Sequence, residues 1–113
     1  ARADYSDAIM LLDRIVILDS DNKQGQAAHA IYQKGYIYYK WKKIEKSIET
    51  MLSIHKRFPK SDKALTAFYA AYYYADKVGM TPRAIDILKE FTRKYPNNKY
   101  YPRYKNKLES AEK

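Results

Sequence analysis

Cysteine is absent from the 113 residues, which removes disulfides and thiolate metal sites. With only His29 and His55, the imidazoles for a zinc or iron centre are missing as well, and neither a metal nor a cofactor is expected. Glycine occurs three times (Gly25, Gly35, Gly79) and proline four times (Pro59, Pro82, Pro96, Pro102), too few turn formers for an all-β chain and natural for one made of helices. Long apolar runs are missing too. The mean hydropathy is -0.72, and no stretch of about 18 uncharged apolar residues exists to span a bilayer. A phosphate-cradling glycine loop, a cysteine nucleophile and a pair of carboxylates isolated on an apolar face are all lacking, so the chain is not expected to be an enzyme. The first residues carry no basic-then-apolar leader, which leaves the compartment open.

What is present is biased in two ways. Twenty-two Lys+Arg against 13 Asp+Glu give a net charge of +9, which favours acidic partners, nucleic acid or anionic membrane surfaces. Thirteen tyrosines stand against three phenylalanines. Tyrosine combines a large contact face with a hydroxyl that prefers a wet or hydrogen-bonded setting, which suits a binding surface. With 46% hydrophobic residues the chain is expected to fold around one core.

Periodicity places about six helices. From Ala3 to Asp19 the residues Ala8, Ile9, Met10, Leu11, Leu12, Ile15, Val16, Ile17 and Leu18 point in nearly every direction, so this helix needs neighbours on more than one side. Ser20-Asp21-Asn22 ends it with turn formers. A second helix, from Gln24 or Gly25 to about Lys40, carries Ala27, Ala28, Ile31, Gly35 and Tyr38 in one stripe. A third, from about Lys42 to Phe58, faces inward with Ile44, Ile48, Met51, Leu52 and Ile54 and leaves His55 at the surface near its end. Pro59 stops it, and Ser61 or Asp62 caps the next. The fourth covers about Lys63 to Lys77 and packs Ala64, Leu65, Ala67, Phe68, Ala71, Tyr72 and Ala75. Gly79 breaks it, and Thr81-Pro82 offers a capping hydroxyl and a first-turn proline to a fifth helix bearing Ala84, Ile85, Ile87, Leu88 and Phe91. The last helix, from about Tyr101 to Glu112, is mostly polar, with Tyr104 and Leu108 as its contacts.

An internal repeat organises these helices. Ile48 aligns with Ile85, Phe58-Pro59 with Tyr95-Pro96 and Ser47 with Ala84, all 37 residues apart. Ile9 precedes Ile48 by 39 residues, which makes the first helix the second half of an earlier unit. Periods of roughly 20 to 50 residues mean stacked arrays, in which each unit buries its face against its neighbours. A single domain over 1–113 is expected: half a repeat over 1–22, repeats over 25–61 and 62–98, and a capping helix over 99–113.

One unit reads Ile31-x2-Lys34-Gly35-x2-Tyr38, Ser47-x3-Met51, Pro59, and the next Phe68-x2-Ala71-Tyr72-x2-Ala75, Ala84-x3-Leu88, Pro96. With Ala8-x3-Leu12 in the half unit, this spacing resembles the tetratricopeptide repeat (TPR), W-x2-L-G-x2-Y, then A-x3-F, then P, over most of the chain. The resemblance implies an all-α fold, a right-handed α-α superhelix of antiparallel helix hairpins, acting as a non-enzymatic scaffold that binds a protein or peptide partner. Small residues (Ala8, Gly35, Ser47, Ala84) let the helices of a hairpin approach closely. Lys34 replaces the usual leucine and Tyr72 the usual glycine, so helices are expected to sit farther apart at Tyr72. The endings Arg57-Phe58-Pro59-Lys60-Ser61 and Lys94-Tyr95-Pro96-Asn97-Asn98 are similar to the bacterial cell-envelope YbgF/BamD-type branch. That branch implies a periplasmic or outer-membrane-associated scaffold, with a cytoplasmic location as the alternative.

In such an array the first helix of each pair lines the concave face. Tyr32, Tyr36 and Tyr39 share a stripe there, with His29 one turn earlier and Lys40 at its end. At the 37-residue offset stand Thr66, Tyr69, Tyr73, Asp76 and Lys77. A groove of paired tyrosines bordered by two lysines would hold an extended or helical segment. The alternative is that these tyrosines only fill space between adjacent helices. Family members that clamp a C-terminal carboxylate use Lys, Asn and Arg at these positions, so the tyrosines argue against that role.

Lys40-Trp41-Lys42-Lys43, Lys56-Arg57, Arg93-Lys94, Arg103, Lys105 and Lys107 offer a second surface, for nucleic acid or another polyanion. Lysines that alternate with Glu45, Glu49, Glu90 and Glu109 on solvated faces make this the lesser reading. Finally, the uncovered apolar face of the first helix predicts self-association through Ile9, Leu11, Leu12 and Val16, or a longer parent chain.

Overall fold

The computed structural model describes residues 2–112, which form α1 (Arg2–Leu18), α2 (Gln26–Lys40), α3 (Ile44–Arg57), α4 (Asp62–Lys77), α5 (Thr81–Lys94) and α6 (Tyr101–Glu112). No strand occurs among the described residues, and the fold is the all-α helical repeat expected from the pattern. Helix α3 starts at Ile44 rather than Lys42 because Lys42 takes the left-handed φ of 64° and closes the turn after α2. Two compact units, residues 1–71 and 72–113, divide within α4.

In the first unit α2 packs against both α1 and α3. Its buried side is built of Ala27, Ala28, Ala30, Ile31, Gly35 and Tyr38. A Cβ on Gly35 would stand 2.8 Å from the Met51 sulfur, and the Ser47 hydroxyl donates to the Gly35 carbonyl at 2.6 Å. The α2–α3 hairpin thus closes on the small residues that the repeat pattern singles out. On another side of α3 lies His55. Expected at the surface, it is instead 3% exposed, with its ring 4.3 Å from that of Phe68. The reason is spacing: Ile48, Leu52 and His55 form one buried line on α3, and Phe68 of α4 lies against its end at His55.

The entry to α2 is held by side chains the pattern treated only as turn formers. The Asp19 carboxylate accepts from the backbone N–H groups of Gln24 at 3.2 Å and Gln26 at 2.9 Å. Asn22 Oδ1 accepts from Ala28 N–H at 2.9 Å. Desolvation would raise the Asp19 carboxyl, but the N–H groups of Gln24, Gln26, Ala27 and Lys23 together hold it below the ordinary carboxylate value. At α4 the Ser61 hydroxyl accepts from Lys63 N–H, as expected of a cap. At α5 the expected Thr81 cap is not formed. Gly79, at φ 81°, ends α4, Met80 takes the cap position, and Thr81 is already helical with Pro82 in the first turn.

Helix α1 corrects one further expectation. Ile9 is buried in the core at 8% exposure and is unavailable to another molecule; Leu12 and Val16 are half-buried, and Leu11 remains 61% exposed. The Asp13 carboxylate pairs with the Lys34 ammonium of α2, which orients this side of α1.

In the second unit α5 packs on α6. The Phe91 ring lies 4.0 Å from Tyr104 and 5.4 Å from Tyr95. Burial, with the nearby Glu90 charge, pushes the Tyr95 hydroxyl above its ordinary value. Tyr72, at the glycine position, is half-buried with the Lys107 ammonium 5.6 Å from its ring centre. No helix among the described residues is long and apolar enough to cross a membrane.

Candidate functional site

The alanine-rich side of α2 is taken by the core, and this rotates His29, Tyr36 and Lys40 into solvent and leaves Tyr32 and Tyr39 half-buried at the margin. Tyr36 is 48% exposed. The ammonium of Lys40 sits 5.9 Å from the centre of its ring, four residues on and one helical turn away. The first turn of α4 reaches the same stripe, with Lys63 Nζ 5.2 Å from the centre of the Tyr32 ring. Tyr69 follows on α4 within the same unit and is 40% exposed.

In the second unit the rest of α4 repeats the α2 arrangement. Tyr73 is 43% exposed, and Lys77 Nζ lies 5.4 Å from its ring centre while donating to its hydroxyl at 3.4 Å. Tyr36–Lys40 and Tyr73–Lys77 are therefore the same pair 37 residues apart. At exposed sites such cation–π pairs contribute on the order of 0.5–1 kcal/mol, enough to bias the side chains without fixing them. Asp76 and His29 are exposed, so all ten residues singled out from the sequence are at least partly accessible. One of them is used differently: the Thr66 hydroxyl donates to the Asp62 carbonyl of its own helix.

Lys63 was missed in the sequence because it stands in a first turn, outside the 37-residue copy of the tyrosine stripe. Its charge next to the capping residue Ser61 was visible, but its reach to Tyr32 was not. The basic bend after α2 is also differently employed. The Trp41 ring stacks on Tyr5 at 5.6 Å and on Tyr38 at 6.3 Å, and Lys43 Nζ lies 4.2 Å from its centre. Trp41 thus clasps the start of α1 to the α2–α3 bend, which leaves little of its face for a nucleobase.

Tyrosine stripes carried on a repeated helix pair offer ring faces, hydroxyls and ammonium groups in a fixed order, the chemistry that holds a peptide segment. A family model described as Tetratricopeptide repeat matches residues 29–61 and 63–98, more than half of the chain, and each stretch covers most of one helix pair. No curated protein and no solved structure matches the chain.

Proposed function

The chain belongs to the tetratricopeptide repeat family, whose repeats mediate protein–protein interaction, and from that premise we propose that its tyrosine stripes hold a segment of a partner protein. The observation that carries this reading is the exposed Tyr–Lys pair repeated at the 37-residue offset, Tyr36–Lys40 on α2 and Tyr73–Lys77 on α4. Space-filling alone does not account for it, since rings that only filled gaps would be buried as Tyr38 and Tyr74 are. Within the first unit Tyr32, Tyr39 and Tyr69 widen the stripe, and Lys63 adds a donor at its edge. A bacterial envelope setting is supported by the endings Arg57–Ser61 and Lys94–Asn98.

A peptide array probed with the purified chain, followed by fluorescence anisotropy on the strongest binder, tests the reading. Tyr36→Ala and Tyr73→Ala are each expected to weaken binding about tenfold, a typical cost of truncating an aromatic anchor. Arg93→Ala on α5 serves as the control and should leave affinity unchanged. Binding that survives both tyrosine substitutions and collapses with added salt would assign the interaction to the lysine-rich edges instead.

A further inference from the structure

Helix α1 is apolar where its counterpart in the repeat is polar. The 39-residue offset that carries Ile9 onto Ile48 carries Met10, Leu11, Ile17 and Leu18 onto Glu49, Thr50, Lys56 and Arg57. In α3, Ser47 and Met51 meet α2 and His55 meets α4, yet Glu49, Lys56 and Arg57 stay exposed and Thr50 half-buried. The directions of Glu49, Lys56 and Arg57 remain in water even on a helix covered from two sides, and that of Thr50 is only partly covered. A further helix completing a hairpin with α1 would cover Ala8, Leu12 and Ile15, the counterparts of Ser47, Met51 and Ile54. It would leave Met10, Ile17 and Leu18 outside. On α1 these positions are nevertheless large and apolar, with exposures of 59% for Met10, 61% for Leu11, 73% for Ile17 and 85% for Leu18. A patch of this kind calls for an occupant that the repeat itself does not provide.

The charges on the same face select the occupant. Asp7, Leu11, Arg14 and Leu18 follow one another by four, three and four residues and form one stripe, in which Asp7 and Arg14 are both exposed. Two copies of α1 laid antiparallel about a two-fold axis near Leu11 set Asp7 of each beside Arg14 of the other, and bring Met10 and Leu11 of both copies together. A parallel arrangement would oppose like charges. Self-complementarity of this sort is what an isologous contact requires. We propose that the chain forms a two-fold dimer through α1, with Leu11 at the axis, Leu18, Met10 and Ile17 around it, and reciprocal Asp7–Arg14 pairs. This contact is separate from the tyrosine stripes and stands or falls without them.

Sedimentation velocity over a concentration series, in about 0.15 M salt, tests it on the chain as it is. The wild type is expected to sediment as a dimer. Leu11→Glu and Leu18→Glu are expected to give monomers with unchanged circular dichroism, since both side chains lie outside the core, and with a melting temperature that no longer depends on protein concentration. Asp7→Arg and Arg14→Asp should each weaken dimerisation by about tenfold or more. The double substitution should restore it, because the pairs re-form with reversed polarity. The cysteine-free background allows a geometric check: Leu11→Cys should cross-link between copies under mild oxidation, whereas Tyr69→Cys should not. A wild type that stays monomeric at high concentration, a dimer indifferent to Leu11→Glu, or a charge swap no better than its single substitutions would overturn the proposal. So would a longer chain in which an added helix covers Leu11 and Leu18 and only monomer is found.

Discussion

At Gly35 one missing methyl group sets how near α2 and α3 come. A Cβ there would press on the Met51 thioether at 2.8–2.9 Å, and Met51 is fully buried. Two effects compete in Gly35→Ala: the helix gains about 1 kcal/mol of propensity, while overpacking a filled core costs roughly 1–3 kcal/mol. Overpacking is expected to win, because the clash includes Met51 Cγ, which sits close to the backbone and cannot swing clear. A net loss of up to about 2 kcal/mol in urea unfolding is the expected result. Gly35 and Ser47 were legible in the sequence as small residues at a repeat spacing. His55 was not, since a histidine near a helix end reads as solvated unless the Ile48–Leu52 line is extended by three residues.

At the scale of one element, α2 shows how a helix start can be built from residues five to seven positions away. The Asp19 carboxyl has a lowered pKa in the folded chain, so its stabilising contribution is present above its unfolded value of 3.8 and is lost as pH falls through the folded value. Asp19→Ala is accordingly expected to lower the melting temperature at neutral pH, and the gap to wild type should close in acid below pH 3.8. A gap that stayed constant with pH would mean that packing, not the charged acceptor, holds the turn. Helix positions themselves were legible from periodicity and turn residues. The caps were not, because a carboxylate reaching over Ser20–Lys23 depends on the left-handed turn at Asn22, with φ of 59°, which no local spacing announces. The tyrosine stripe was legible for the same reason as the core: it is the remainder of a helix whose other side is committed to alanine and glycine.

Over the whole molecule the nine surplus positive charges repel one another. The half-exposed Asp13–Lys34 pair contributes only about 0–1 kcal/mol, so its screening matters little beside that repulsion. Raising sodium chloride from about 0.02 M to 0.3 M is therefore expected to raise the melting temperature by a few degrees, with the Debye length falling from about 20 Å to below 8 Å. A fall in melting temperature would show that attractive pairs outweigh the surplus. The repeat period made the helix pairs and their order visible in advance. Contacts distant in sequence, such as Tyr5 on Trp41 or Lys63 on Tyr32, belong to no period and emerge only in three dimensions.

The seat of Met51 beneath Gly35 has a chemical consequence. Its sulfur is sealed inside the hairpin, whereas Met10 is 59% exposed on α1. In a monomeric variant such as Leu11→Glu, peroxide should convert Met10 and the half-buried Met80 to sulfoxides first and reach Met51 only when the hairpin opens. The lag before the third oxygen is added would then time that opening without any label.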